Sequence, residues 1–201
     1  MHKIKIDEKL YNFPSKLSEV TLGQFQEIVS LKAMGSIKDN IDLTIKIISI
    51  LMKVSEEFLN TIPYTDIVKL AKLCGFIFDS TNEEPKFEVV IDNVKYVMLN
   101  EISKMSTAEY IDLDTLLSDK ENAVSNLHLI MGILYRPATK KNKIEPYNSE
   151  TLNERAELFK EKMTCNYAVS AMLFSLALVQ ASSELIQDYS QNKNEFVGES
   201  N

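Results

Sequence analysis

Shifted by 85 positions, this chain faces a second copy of its own pattern, and that self-similarity constrains the fold more than its composition does. IKIDEKLYNFPSKLSEVTLGQFQEIVSL (4–31) lies against VVIDNVKYVMLNEISKMSTAEYIDLDTL (89–116) without a gap. Identities are few: Ile6/Ile91, Asp7/Asp92, Tyr11/Tyr96, Ser18/Ser103 and Leu31/Leu116. The pattern agrees better. Leu17, Val20, Phe25 and Ile28 face Ile102, Met105, Tyr110 and Leu113, at the spacing of one helical face. Thr21-x-x-Gln24 faces Ser106-x-x-Glu109, and each is a capping-box signature for a helix start. At a shift of 83, IISILMK (47–53) faces IMGILYR (130–136) with every pair alike in class. At 101, Phe58 and Ile62 face Phe159 and Met163, so the second copy carries 101 − 83 = 18 extra residues, between about 138 and 155. A period of this kind marks a repeated supersecondary unit.

Local signals give the unit its content. KFEVVIDNVKYVML alternates apolar and polar residues around Asp92-Asn93, a pair that tolerates positive φ, and so reads as a hairpin over 86–99. KIKIDEKLYNF is its weaker counterpart over 3–13, with Asp7-Glu8 at the turn. Each hairpin precedes a capped helix, then an apolar helix (40–53 and 122–136), then a longer one (64–78 and 151–190). The expected architecture is therefore α+β and mostly helical, a tandem pseudo-repeat of hairpin plus three helices. Residues 1–85 form the first copy and 86–190 the second, with an inserted loop at 138–155 and a flexible polar tail at 191–201. The polar, proline-ended DSTNEEPK (79–86) joins the copies within one compact unit. In this scheme Arg136 matches Lys53 and ends a helix, with Pro137 forbidding its continuation.

Charge then narrows the partners. A formal net charge of −7 disfavours nucleic-acid backbone, and only Lys140, Lys141 and Lys143 cluster, so no nucleic-acid partner is expected. Cys74 and Cys165 fall in apolar helical stretches, as packed thiols do in a reducing compartment. MHKIKIDEKL has no apolar run of signal-peptide type. Met163 to Ser183 is uncharged for 21 residues but holds seven Ser, Thr, Asn or Gln, and its counterpart (62–78) contains Asp66, Lys69 and Lys72. It reads as a buried helix, with no membrane partner.

The residue types that carry chemistry do not converge in the sequence. The five glycines never form a phosphate cradle, and His128 in NLHLIMGIL faces an apolar counterpart, Ile45, as a packed histidine would. With Cys74 and Cys165 it makes no zinc-ligand spacing. Asp112 and Asp114 project about 200° apart on a helix, and with Asp119 they read as a solvated face. No catalytic, metal-binding or cofactor-binding residue is expected, nor any cofactor, and the chain is not expected to be an enzyme. The insert remains: ATKKNKIEPYNSETLNER is long for a helix connection, and Lys140, Lys141, Lys143, Ile144 and Tyr147 suit contact with a protein partner.

NLHLIMGILYRPATKKNKIEPYNSETLNERAELFKEKM resembles a segment of uncharacterised proteins encoded among the virion genes of tailed bacteriophages, and FEVVIDNVKYVMLNEISKMSTAEYIDLDTLLSD before it is similar to the same group. The resemblance covers roughly residues 86–175 and carries no catalytic motif to transfer. It implies a non-enzymatic virion component or a tail or virion assembly factor, in the host cytoplasm or the virion. Its partners would be other phage structural or assembly proteins or further copies of itself. The competing classes are a small acidic phage protein that binds and inhibits a host factor, and an enzyme without a recognisable motif.

Overall fold

The computed structural model describes residues 1–6, 8–32, 40–77, 86–99, 101, 104–138, 144–168, 171–173, 175–177 and 180. The expected connection at 79–85, the lysine cluster and the tail at 191–201 lie outside them. Over the described residues the chain is α+β, with helices around two small antiparallel sheets.

Both hairpins form. β1 (His2–Ile6) pairs with β2 (Lys9–Phe13), and β3 (Glu88–Ile91) with β4 (Val94–Met98). The second turn places Asp92 and Asn93 at φ 50° and 62°. A two-residue hairpin turn needs positive φ at both central positions, and short Asp and Asn side chains reach it at little cost. In the first turn Glu8 takes φ 67°, while Asp7 lies outside the described residues. Alternation then buries Ile6 and Phe13 in one half, and Val89, Ile91, Tyr96 and Met98 in the other.

Each hairpin leads into a capped helix, α1 (Leu22–Lys32) and α5 (Thr107–Ser118). Both capping boxes close. Gln24 N–H donates to Thr21 Oγ1 (3.3 Å) while Thr21 N–H donates to Gln24 Oε1 (3.1 Å). Glu109 N–H donates to Ser106 Oγ (3.3 Å) while Ser106 N–H donates to Glu109 Oε2 (2.7 Å). Next come α2 (Ile41–Met52), capped by Asn40 and ended by Lys53 in the left-handed region, and α3 (Glu56–Asn60), a short helix capped by Ser55 that the sequence reading passes over. α4 (Tyr64–Leu73) runs into a 3₁₀ turn, Cys74–Ile77.

Two expectations need correction in the second half. The helix expected over 122–136 is α6 (Leu127–Leu134), preceded by turns, and Tyr135–Pro137 form a strand, β5, on the free side of β4. A residue before proline is driven to extended backbone, and proline is tolerated on an edge strand, so the helix stops earlier and the chain joins the sheet. Arg136 is thus a buried strand residue opposite Val97, not a helix-end cation. The single helix expected over 151–190 also divides. α7 (Leu152–Lys162) ends at Met163, which is extended, and helical backbone resumes at 165.

The division at Met163–Thr164 is where the halves interlock. Leu22 N–H donates to Met163 O (2.8 Å), Cys165 N–H donates to Val20 O (2.8 Å), and Thr21 and Thr164 form an antiparallel bridge. Each half has its own core, one around Phe13, Ile28, Ile48 and Leu59, the other around Tyr135, Met98, Ile130 and Phe159. Cys165 from the second half enters the first core, and Leu22 from the first half enters the second. Gly23 permits the approach, because a Cβ there would stand 2.9 Å from Lys160 O. No helix among the described residues is long and apolar enough to cross a membrane.

Candidate functional site

The three-stranded sheet, ordered β3-β4-β5, has one face against α7. Phe159 meets Tyr96 edge-on with ring centres 4.9 Å apart and Tyr135 at 6.5 Å. Gly132 brings α6 close to α7, since a Cβ would lie 2.8 Å from Leu152 Cδ1, and Arg155 Nε donates to Gly132 O (2.8 Å). On the opposite face Arg136 Nη1 lies 3.1 Å from Glu109 Oε1, with both residues buried. The contact is electrostatic without hydrogen-bond alignment: Glu109 Oε1 accepts no hydrogen bond, and Arg136 Nε donates none. Glu109 therefore serves twice, capping α5 through Oε2 and neutralising a buried guanidinium through Oε1. Of the carboxylates expected on a solvated face, Asp112 and Asp114 are half-buried, Asp112 accepting a hydrogen bond from Tyr147, and only Asp119 is exposed.

Two grooves run along strand edges, one in each half. The first lies between β1 and the start of α4, lined by Ile4, Lys5, Ile6, Ile62, Pro63 and Asp66 among others, with a volume of about 340 Å³. The second lies between β3 and the segment after α7, lined by Val89, Val90, Ile91, Met163, Thr164 and Tyr167 among others, with about 500 Å³. The strand residues lining the two grooves stand 85 positions apart (Ile4 to Val89), and the opposing residues 101 apart (Ile62 to Met163).

The edges themselves differ. In both hairpins the register turns alternate main-chain groups away from the partner strand, those of Lys3 and Lys5 in β1 and of Glu88 and Val90 in β3. Lysines on an edge discourage further strand pairing. β1 carries two, whereas β3 presents Val90 in the place of Lys5, 67% exposed. Phe87 and Val94 in the same hairpin are also exposed. Beside this edge the charges are already neutralised in pairs, Lys162 with Asp92 and Lys95 with Glu88.

A larger cleft of about 760 Å³ opens where α1 meets α7, lined by Thr21, Gly23, Gln26, Lys53, Ser125 and Glu157 among others. Gln26, though buried, spans the two halves: Nε2 donates to Val124 O (2.9 Å) and Ser125 O (2.7 Å) and lies 3.0 Å from His128 Nδ1. His128 Nε2 is 3.6 Å from Glu157 Oε1. Burial, with Lys160 adding to it, holds the His128 pKa below its ordinary value, so the ring is neutral at pH 7. Both ring nitrogens are thus turned to protein groups, which suits a structural role. Burial pushes the Cys74 thiol up to about 12, leaving it protonated, and Cys165 is buried in the first core. Among the described residues, no group of three or more His, Cys, Asp and Glu is arranged to hold a metal ion.

Of the residues expected to touch a partner, Lys140, Lys141 and Lys143 lie outside the described residues. Ile144 closes a short bridge with Ala138, and Glu145 N–H donates to Pro137 O (3.1 Å), so the insert leaves the sheet as an extension of β5. Tyr147 is half-buried against the second core and bonded to Asp112; burial and that carboxylate both raise its pKa. The insert's last residues, from Leu152, form the first turn of α7. The β3 edge was absent from the expected site, although the facing of Lys5 with Val90 in the self-alignment carries the signal. No protein-family model, curated protein or solved structure matches this chain.

Proposed function

We propose that this chain is a non-enzymatic tailed-phage virion component or virion-assembly factor, built as two tandem copies of a hairpin-plus-helices unit and acting by protein contact. The observation that carries the contact role is the β3 edge, where an exposed valine stands on a strand with outward main-chain groups and no lysine of its own, the neighbouring Lys162 being paired with Asp92. An edge strand with unpaired main-chain groups and no lysine of its own is open to pairing with another chain. The phage setting rests on the resemblance of residues 86–175 to proteins encoded among virion genes. The duplication is supported by spacing: β2 and β4 begin and end 85 positions apart, α1 and α5 begin 85 apart, and the two edge grooves use corresponding positions.

Mass spectrometry of purified virions, and of assembly intermediates from infected cells, tests the reading. The chain is expected in one or both, with phage structural proteins as its companions. Its absence from both, together with recovery on a host protein, would replace this reading with host-factor inhibition.

A further inference from the structure

From the β3 edge and its groove we infer a docking site for one extended, uncharged segment of a partner protein, apolar at alternate positions, added to the sheet beside β3. This deepens the protein-contact reading and rests on it.

The donor and acceptor row fixes the backbone of the occupant. Glu88 and Val90 present N–H and C=O groups away from β4, and among the described residues these groups have no partner. Only another extended chain matches such a row over successive residues. The groove fixes its length. At strand spacing 4.8 Å, rise 3.3 Å and layer depth 10 Å, one residue occupies about 160 Å³, so a groove of about 500 Å³ takes roughly three to four residues. Met163, Thr164 and Tyr167 wall the groove opposite β3, and with that volume they match a short single strand.

Chemistry fixes the side chains. Alternate residues of an added strand point toward the helix side, onto Met163 and Tyr167, so apolar groups are favoured there. The flanking charges are satisfied within the chain by the Lys162–Asp92 and Lys95–Glu88 pairs, so a charged occupant gains nothing to offset its desolvation. The first half supplies an internal control: a groove in corresponding positions, on an edge carrying Lys3 and Lys5.

The test is amide hydrogen exchange on the full chain with the probe acetyl-Thr-Val-Thr-Val-Thr-Val-Lys-amide. A control peptide of the same sequence is N-methylated at every residue and so cannot donate along either edge. The expected result is at least about tenfold slower exchange at Glu88 and Val90 with the first peptide only. Lys3 and Lys5 should remain unchanged, and the effect should vanish in Val90→Lys, whose melting is expected to match the parent. The inference is overturned by no slowing at about 1 mM peptide, by equal slowing on β1, or by full slowing in Val90→Lys. It is also overturned if Glu88 and Val90 are slow in the free chain and quicken on truncation after Gln180, which would make the chain's own tail the occupant. A doubling of mass abolished by Val90→Lys would assign the edge to a second copy instead. Failure here with the chain still found in virions removes this site and leaves the protein-contact reading intact.

Discussion

Replacing Arg136 by methionine keeps the volume of the side chain but leaves the Glu109 carboxylate buried without its cation. The two residues are 5% and 1% exposed and 3.1 Å apart. At an effective dielectric near 20 that separation corresponds to about 5 kcal/mol of attraction. Breaking such a pair from one side costs about 3–5 kcal/mol. Because Oε2 keeps its bond from Ser106 N–H, the lower end, about 3 kcal/mol, is expected for Arg136→Met. Glu109→Gln should cost about as much, since it keeps the cap but strands the guanidinium. In the double variant neither charge remains and the cap persists, so stability should return to within about 1 kcal/mol of the parent, a coupling of about 5 kcal/mol. Urea unfolding followed by circular dichroism reads this as a midpoint lowered by roughly 1.5 M in each single variant and largely restored in the double. A loss below about 1 kcal/mol in Arg136→Met, or strict additivity in the double variant, would show that the pair is solvated or idle and would refute the argument.

Gly23→Ala should destabilise by about 1–3 kcal/mol because its Cβ meets Lys160 O, whereas Gly75→Ala, with nothing within 4 Å, should be neutral or stabilising by up to about 1 kcal/mol; thermal melts compare them. His128 has a folded pKa below its unfolded value near 6.5, so its contribution is complete above that pH and is lost as pH falls from 6.5 toward the folded pKa. Stability measured across that window should therefore decline on acidification, and His128→Gln should flatten the slope. Cys74, protonated and buried, should react with a thiol reagent at pH 8 only when the chain unfolds, so rapid labelling of the native protein would contradict its placement. Tyr147→Phe should cost about 1 kcal/mol in urea unfolding through the lost bond to Asp112.

The hairpins and both capping boxes were legible because their causes are local: alternation of period two, a turn pair suited to positive φ, and a hydroxyl three residues before an amide or carboxylate. What stayed hidden depends on residues remote in sequence. Nothing around Arg136 announces Glu109, and the helix was extended through Tyr135 because a free edge on β4 does not appear in a linear reading. The uncharged run from Met163 gave no reason to stop a helix; the bridge from Thr164 to Thr21 does. The contrast between Lys5 and Val90 lay in the self-alignment from the start, but its meaning required knowing which main-chain groups face outward.

The exchange of Leu22 and Cys165 between the cores bears on the order of events at the ribosome. The first core takes in Cys165, more than a hundred residues after Ile28 in the same cluster. At about 5–20 residues per second, synthesis of the intervening chain takes on the order of ten seconds. For that interval the first half cannot finish its packing, and Leu22 waits for a core that has not been made. Nascent chains stopped before Thr164 should therefore be open to protease and held by chaperones, while release of the later residues closes both halves together.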